Sequence, residues 1–276
     1  MVLKRHPQPA LRPFVKTLWV MDQTSQERPA TADREHVLPS GHMHLVFRLS
    51  DHRIRLYRDV LDPSGHTFGC AVIGGPRAGF YVKDVSEPAS SVGALLQPGA
   101  ARALFGAPAD ELAGRHFPLD DLWGQSAAWA RERLLEEQYP ERRLDVIESL
   151  LVPRLPKVRG LHPAVALALQ RFTETADVHE VVSETGFSHR RFIALFREAV
   201  GLTPKLYCRL RRFQRVLARV AAAQPASWVD LAMAAGYSDQ SHFNREFLEF
   251  AGVTPGEYRR ISPVFPHHIA VRRTLE

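Results

Sequence analysis

Two histidines, His42 and His44, alternate along a stretch of sequence that is typical of a β-strand. Side chains two residues apart point to the same face of a strand, so the two imidazoles could share a metal ion, and His36 lies nearby in sequence. A cupin-like metal site would need a further carboxylate and histidine at suitable spacing, and the sequence shows no convincing set. The alternative is that these histidines are exposed or hydrogen-bonded. We therefore predict no metal and no cofactor.

The sequence lacks the common motifs of catalysis. It contains no glycine-rich phosphate loop, no nucleophile elbow and no cysteine pair of the zinc-binding type. Cys70 and Cys208 fall in different predicted domains, which indicates ordinary buried thiols and a reducing compartment. We predict no catalytic residue and a protein that is not an enzyme. The alternative is a metal-binding, cupin-like enzyme confined to residues 1–155.

The residue pattern divides the chain into an α+β domain and an all-α domain. Short apolar runs bounded by turn residues predict strands in the first hundred residues, and the pattern turns helical from Gly99 onwards. We predict an N-terminal domain of short strands then helices over residues 1–155, a linker over 156–163, an all-α domain over 164–262 and a tail over 263–276. The predicted strands are Phe14–Met21, His44–Leu49, Ile54–Tyr57, Ala71–Ile73, Phe80–Val82 and Val92–Leu96. The predicted helices before the linker are Ala100–Phe105, Ala109–Ala113, Ala127–Gln138, which Pro140 ends, and Leu144–Leu151.

The positive charge of the chain is concentrated in its C-terminal part. Residues 157–276 contain 17 Lys and Arg against 11 Asp and Glu, whereas residues 1–156 contain 19 of each kind. A one-sided basic balance suits a polyanionic partner, because each phosphate contact releases counterions. A merely solvated basic surface is the alternative. No apolar run approaches the ~18 residues that cross a membrane, and the N-terminus lacks the apolar core of a secretory signal, so we predict a cytoplasmic protein with no membrane partner.

An internal repeat dominates the C-terminal part. Residues 178–204 and 229–255 share a glycine, an aromatic residue and a serine at one offset, and two phenylalanines and a Gly-x-Thr-Pro ending at an offset one residue longer. The glycine allows a sharp turn between two helices, and the serine lies where the next helix needs an N-cap. Phenylalanines at helical spacing bury one face of the second helix and leave the other free. The repeat therefore predicts two helix-turn-helix units, with a helical repeat of no nucleic-acid role as the alternative.

A long helix is predicted between the two copies, over residues 204–222. About 19 residues at 1.5 Å each give roughly 28 Å, which is near the ~34 Å between successive major grooves on one face of DNA. One rigid helix could thus hold two reading helices on the same face. Four arginines of this helix could contact phosphates, belong to a solvated face or form local salt bridges: Arg209, Arg212, Arg215 and Arg219.

The two copies resemble the AraC/XylS family of transcription regulators, over about 100 residues. The most specific stretch is GYSDQSHFNREFLEFAGVTPGEYRR. The resemblance implies that the second helix of each unit enters a major groove, where Gln and Asn suit adenine edges and Arg suits guanine. The second copy carries the fuller set of such side chains. The residues that the resemblance assigns to the DNA surface are Ser188, His189, Arg190, Arg191, Ile193, Ala194 and Arg197 in the first copy and Ser238, Asp239, Gln240, Ser241, His242, Asn244 and Arg245 in the second.

The N-terminal part is similar to sensor-type domains that are often joined to such modules. The stretches that carry this looser similarity are VKTLWVMD, HVLPSGHMHLVFRL, LLQPGAARALFGAPADELAG and FPLDDLWG. The resemblance implies a sequence-specific DNA-binding transcription regulator, controlled through the N-terminal domain by a ligand or by association. The expected partners are double-stranded DNA, RNA polymerase, a small-molecule effector and a second copy of the chain. A domain that serves only for dimerisation is the alternative.

Overall fold

The computed structural model describes residues 2–22, 32–156, 161–173, 177–222 and 227–271. Residues 157–160 of the predicted linker and residues 272–276 of the predicted tail lie outside this part of the chain. The described residues form a strand-rich N-terminal region with helices at its end, followed by a helical region. The predicted fold class is therefore confirmed.

Antiparallel strands build two sheets in the N-terminal region. The strands are β1 (Val2–Arg5), β2 (Val15–Asp22), β3 (Arg34–Val37), β4 (Met43–Arg48), β5 (Arg55–Tyr57), β6 (His66–Thr67), β7 (Ala71–Gly74), β8 (Tyr81–Asp84), β9 (Ser90–Leu96), β10 (His116–Pro118) and β11 (His268–Val271). Each predicted strand is present, with ends shifted by no more than two residues. The six-stranded sheet has the order β1-β2-β9-β4-β7-β10, and the five-stranded sheet has the order β11-β3-β8-β5-β6.

Side chains alternate between the two faces of the six-stranded sheet. On β4, Met43, Leu45 and Phe47 are buried in the core beneath the helices. Their neighbours His44 and Val46 line a cavity between the sheets. This period of two follows from the pleat of a strand. One face of the sheet thus supplies the apolar core, while the other supplies the wall of a cavity.

Helices cover the outer face of the six-stranded sheet. They are α1 (Ala100–Phe105), α2 (Ala109–Leu112), α3 (Asp120–Trp123), α4 (Gln125–Glu136) and α5 (Pro140–Leu151). Pro140 begins α5 at its first turn, where a proline suits the helix because no N–H is needed, so the prediction that α5 starts at Leu144 was wrong by one turn. Leu134 is buried under α4, but Trp129 on the same helix is 52% exposed.

The helical region consists of α6 (Pro163–Arg171), α7 (Val178–Thr185), α8 (His189–Val200), α9 (Pro204–Ala221), α10 (Trp228–Ala234), α11 (Gln240–Ala251) and α12 (Pro255–Ile261). Its core is rich in phenylalanine. The fully buried aromatic side chains of this core are Phe192, Phe196, Phe213, Phe243, Phe247 and Phe250. Burial of each such side chain stabilises the fold by roughly 1.5–3 kcal/mol. Among the described residues, no helix is long and apolar enough to span a membrane.

The C-terminal segment returns to the N-terminal region. β11 pairs antiparallel with β3, with His268 opposite Val37 and Val271 opposite Arg34. Ile269 on this strand is fully buried in the core of the helical region. The sequence predicts a tail over 263–276 without placing any of it in a sheet. The paired strand joins the two regions of the chain.

One short segment between β7 and β8, residues 76–80, contacts the ends of two helices. Gly201 ends α8 with φ +80°, and a Cβ built on it would lie 2.2 Å from Cγ of Pro76. Gly252 ends α11 with φ +70°, and its Cβ would lie 2.5 Å from Cζ of Phe80. Both glycines are thus required for the left-handed turn and for close packing against this segment.

Gly252→Ala is expected to lower the free energy of unfolding by about 2–4 kcal/mol. The left-handed backbone costs any L side chain about 1 kcal/mol, and overpacking against Phe80 adds about 1–3 kcal/mol. Gly186→Ala is the matched control, because Gly186 has φ +71° with open space around its Cβ, so it bears the backbone cost alone. Urea unfolding of both variants measures the difference. An equal decrease in the free energy of unfolding for both variants would show that Phe80 moves aside for the methyl group at no measurable cost.

Candidate nucleic-acid interface

The first helix-turn-helix unit consists of α7, a turn at Gly186 and α8. Asp177 caps α7 by accepting from the backbone N–H of His179 at 2.8 Å. Gly186 adopts φ +71° between the helices. Ser188 caps α8 by accepting from the N–H of Arg191 at 3.4 Å, as predicted. The buried residues of α8 lie on one face, so its opposite face is left for a partner.

The second unit consists of α10, a turn at Gly236 and α11. Its N-cap is Asp239, which accepts from the N–H of His242 at 2.7 Å, whereas Ser238 donates its hydroxyl to Asp239. The prediction that Ser238 is the cap was therefore wrong. The physical reason is the residue inserted in this copy, which starts α11 one position later and brings a carboxylate to the N–H groups. Ser238 instead lies in the turn before the helix.

Most of the predicted DNA-contacting residues are exposed on one side of α8 or α11. In the first unit, Ile193 is half-buried, while the others are exposed: Ser188, His189, Arg190, Arg191, Ala194 and Arg197. In the second unit, His242 is half-buried against the ring of Tyr237, 5.4 Å away between centroids. The exposed residues there are Ser238, Asp239, Gln240, Ser241, Asn244 and Arg245. Their assignment to DNA stays a prediction.

Cationic side chains stand at the start of α8. Its first turn has no acidic residue, although the N-terminus of a helix carries positive partial charge that favours acids. Arg190 and Arg191 therefore add charge to an already positive end. Among the described residues, Arg190, Arg197 and Arg245 form no ion pair. This surface is suited to an anion, with backbone N–H groups and guanidinium groups on one side.

The arginines of α9 fall into two groups. Arg209 binds Glu246 at 2.7 Å and Glu249 at 2.5 Å, and Arg212 donates to the carbonyl oxygen of Gly236 at 3.2 Å. Local contacts thus occupy these two side chains. Within the described part of the chain, Arg215 and Arg219 form no ion pair. Of the four arginines predicted for this role, Arg215 and Arg219 are therefore the two that remain available for a phosphate contact within the described part of the chain.

Glu246 is a buried carboxylate that the sequence analysis missed. It is 2% exposed on α11 and receives hydrogen bonds from Arg209 and from the hydroxyl of Tyr237 at 2.8 Å. Burial and the neighbouring carboxylate raise the pKa of Tyr237. The cluster ties α11 to α9 and to the turn before α11. The surplus of arginines on α9 was the available signal, although it did not identify Glu246 as their partner.

A cavity of about 430 Å³ lies between the two sheets. His42 and His44 both line it, as expected for residues that share a strand face. His36 instead donates a hydrogen bond from Nδ1 to the carbonyl oxygen of Ala251 at 3.0 Å. Among the described residues, no group of three or more His, Cys, Asp or Glu side chains could hold a metal. The histidines predicted as metal candidates are thus placed in two different surroundings.

Hydrogen-bond partners fix the neutral form of two cavity histidines. His42 accepts from the ammonium of Lys16 at 3.0 Å, and the ring nitrogen of His116 accepts from Arg77 at 3.0 Å. Since Lys and Arg only donate, each of these ring nitrogens is unprotonated. Burial, with help from neighbouring cations, lowers the pKa of His42 and of His44 to about 3 and that of His116 to about 2.

Comparisons with known proteins cover both regions of the chain. Residues 167–261 match a family described as helix-turn-helix domain, and residues 3–118 match a family described as domain of unknown function (DUF6597). The RCS-specific HTH-type transcriptional activator RclR of Escherichia coli (strain K12) is 31% identical over 103 residues, which are 36% of this chain and 36% of RclR. The putative HTH-type transcriptional regulator YkgA of the same organism is 30% identical over 96 residues, 32% of this chain and 39% of YkgA. The chain thus spans little more than a third of the length of these relatives.

A likeness over more of the chain is seen with a solved structure. ToxT from Vibrio cholerae aligns over 93% of this chain and 97% of its own, with 10% sequence identity and a TM-score of 0.46.

Proposed function

We propose that the whole chain is a sequence-specific DNA-binding transcription regulator, because residues 167–261 match a helix-turn-helix domain family and carry the resemblance to AraC/XylS regulators. The observation that carries the proposal is the doubled unit, in which α8 and α11 each bury a phenylalanine face and expose a polar one. α9 joins the units over 18 residues, or about 27 Å. Two adjacent major grooves are the surface that fits such a pair. We propose that it acts in the cytoplasm, because the transcription regulators that it resembles come from bacteria, whose DNA lies there.

We propose different roles for the two reading helices. α11 exposes Gln240, Asn244 and Arg245, whose side chains suit adenine and guanine edges, so it supplies most of the base recognition. α8 exposes Arg190 and Arg191 at its first turn together with Ala194, so it contributes phosphate and apolar contacts. The second unit is therefore the main determinant of sequence.

The N-terminal domain is proposed to regulate DNA binding or polymerase contact. Its cavity of about 430 Å³ has the size of a small-molecule site, which supports control by a ligand. Control by association has a separate support: Trp129, Leu135 and Tyr139 are 52%, 41% and 63% exposed on or just after α4, where a second copy could cover them.

Selection of bound sequences from a random DNA pool tests the function and supplies the site. Arg245→Ala is then expected to cost about 1–3 kcal/mol on that site and much less on unrelated DNA, because a guanine contact is lost. Equal losses on all sequences would make Arg245 a phosphate anchor. Arg58→Ala is the matched control, since the side chain of this arginine is 81% exposed in the N-terminal region and pairs with its neighbour Asp59.

The dependence of affinity on salt provides a second readout. Fluorescence anisotropy should show affinity falling steeply between 50 and 200 mM salt, on the order of a factor of 10³ if six phosphates are contacted. A flat response would contradict DNA as the partner. The stoichiometry of the complex, one or two chains per site, tests association.

A further inference from the structure

One corner of the cavity between the sheets, lined by Arg77, His44 and His116, contains a cation that has no anionic partner among the described residues. Arg77 lines it, and its guanidinium carbon lies 4.5 Å from the centroid of the Tyr81 ring. Its Nε is buried and has no hydrogen-bond partner, and burial lowers the pKa of this arginine. Within the described residues, Arg77 has no carboxylate partner. A desolvated guanidinium without an anion is costly, so this corner is suited to a negative group.

Two neutral histidines add hydrogen-bond donors to this corner. Because Nδ1 of His116 accepts from Arg77, its proton lies on Nε2, which can donate elsewhere. His44 lies 5.4 Å from His116 between ring centroids. The backbone makes room for it, since a Cβ on Gly74 would lie 2.1 Å from the His44 ring. Glycine at this strand position thus allows the imidazole to occupy the cavity wall.

The acids that face the cavity are already paired. Glu35 accepts from Lys83 at 2.7 Å and from His268 at 2.6 Å. Asp84 accepts from the hydroxyl of Tyr57 at 2.5 Å. The cations near His44, which are Arg77, Lys83 and His268, all act to keep it neutral. The charge that remains without a counterpart at this corner is therefore that of Arg77.

The surface next to Arg77 is apolar. Val46, Ile54, Leu56 and Val72 pack together there, with Phe68 and Tyr81 at their edge. A ligand for this wall needs an apolar or aromatic body as well as an anionic group. One guanidinium with neutral donors beside it suits a single negative charge, and the planar fork of arginine suits a carboxylate.

We propose that this cavity binds a small organic carboxylate, with its anionic group at Arg77, His116 and His44 and its apolar body against Val46 and Val72. This deepens the ligand control proposed above and rests on it. The site is placed to act on both helix-turn-helix units. Arg77 belongs to the segment 76–80, whose first residue packs against the end of α8 and whose last packs against the end of α11.

Calorimetric titration of the full chain with three probes of equal size tests the proposal without any variant. The probes are 2-naphthoate, 2-naphthamide and 2-naphthylmethylammonium. We expect 2-naphthoate to bind at least about tenfold more tightly than the amide, and the ammonium to bind most weakly, because only the carboxylate can pair with a buried guanidinium. Equal affinities, or preference for the ammonium, would overturn the proposal.

Variants locate the anionic group. Arg77→Met should remove the preference for 2-naphthoate over the amide, whereas Arg77→Lys should retain part of it. Arg115→Met is the matched control, because Arg115 is exposed and does not line the cavity, so its loss should leave binding unchanged. Wild-type affinity of Arg77→Met for 2-naphthoate overturns the site. If Arg77→Met does not fold by circular dichroism, Arg77→Lys and the wild-type probe series decide.

DNA affinity with and without 2-naphthoate separates this proposal from the proposed function. Selective binding that depends on Arg77 supports the carboxylate site whether or not DNA binding changes. A chain that binds 2-naphthoate but no DNA contradicts the proposed function alone. A chain that binds its selected DNA but shows no carboxylate preference overturns the site alone.

Discussion

Lowering the pH from 7 to 5 is expected to reduce the free energy of unfolding by roughly 7 kcal/mol. The cause is a group of histidines around the cavity that are neutral in the folded chain. Burial, followed by nearby cations, lowers the pKa of His42 and His44 to about 3, of His116 to about 2 and of His267 to about 4, against an ordinary value of 6.5. A group with a depressed pKa stabilises the fold above its unfolded pKa, and this stability is lost as the pH falls towards its folded pKa.

The free energy of unfolding should therefore begin to fall near pH 6.5, because below this pH the histidines of the unfolded chain bind protons while those of the folded chain stay neutral. Each such histidine contributes about 1.4 kcal/mol per pH unit below that point. Urea unfolding at a series of pH values measures the number of protons taken up. His42→Gln should reduce that number by about one, and His52→Gln, at a histidine whose side chain is 54% exposed, is the matched control. A free energy of unfolding that is constant between pH 7 and 5 would refute the neutral assignment.

Glu246→Ala is expected to cost about 3–5 kcal/mol, because it leaves the cations packed around a buried carboxylate without their counterion. Arg209 and the hydroxyl of Tyr237 both donate to this side chain, and Arg212 lies 3.7 Å from it. The substitution should also weaken binding to selected DNA, since α11 loses its link to α9.

Glu249→Ala is the matched control for this effect. Glu249 accepts from the same Arg209, but its side chain is 55% exposed, and exposed ion pairs contribute less than about 1 kcal/mol. Urea unfolding and DNA anisotropy of both variants separate the two carboxylates. A similar decrease in the free energy of unfolding for the two variants would mean that burial of Glu246 adds nothing to its contribution to stability.

Periodic and repeated features of the fold could be predicted from the sequence. The alternation along Met43–Arg48 gave that strand to within one residue, and the two copies of the turn gave both helix-turn-helix units. These signals are local, because the pleat and the helical turn act between near neighbours in the chain. The histidine pair on one strand face followed from the same rule.

Features that depend on distant partners could not be predicted. β3 contains Arg34, which is 2% exposed because its guanidinium donates to the carbonyl oxygens of residues 59, 60 and 62. Because β3 has only four residues and begins with a buried arginine, its sequence shows no alternation of apolar residues that would predict a strand. Glu246 looks like any solvent-facing helical acid until Arg209, 37 residues earlier, is brought beside it. β11 is defined by pairing with a strand more than 200 residues away in sequence.

The segment 76–80 has a consequence for how the chain can change over evolution. Because Pro76 packs against the end of α8 and Phe80 against the end of α11, the length of this segment is matched to the distance between the two helix ends. Substitutions at its middle positions can leave both contacts in place, but insertion or loss of a single residue would break at least one of them. We therefore expect that, among relatives with this architecture, the amino-acid identities within this segment vary far more than its length.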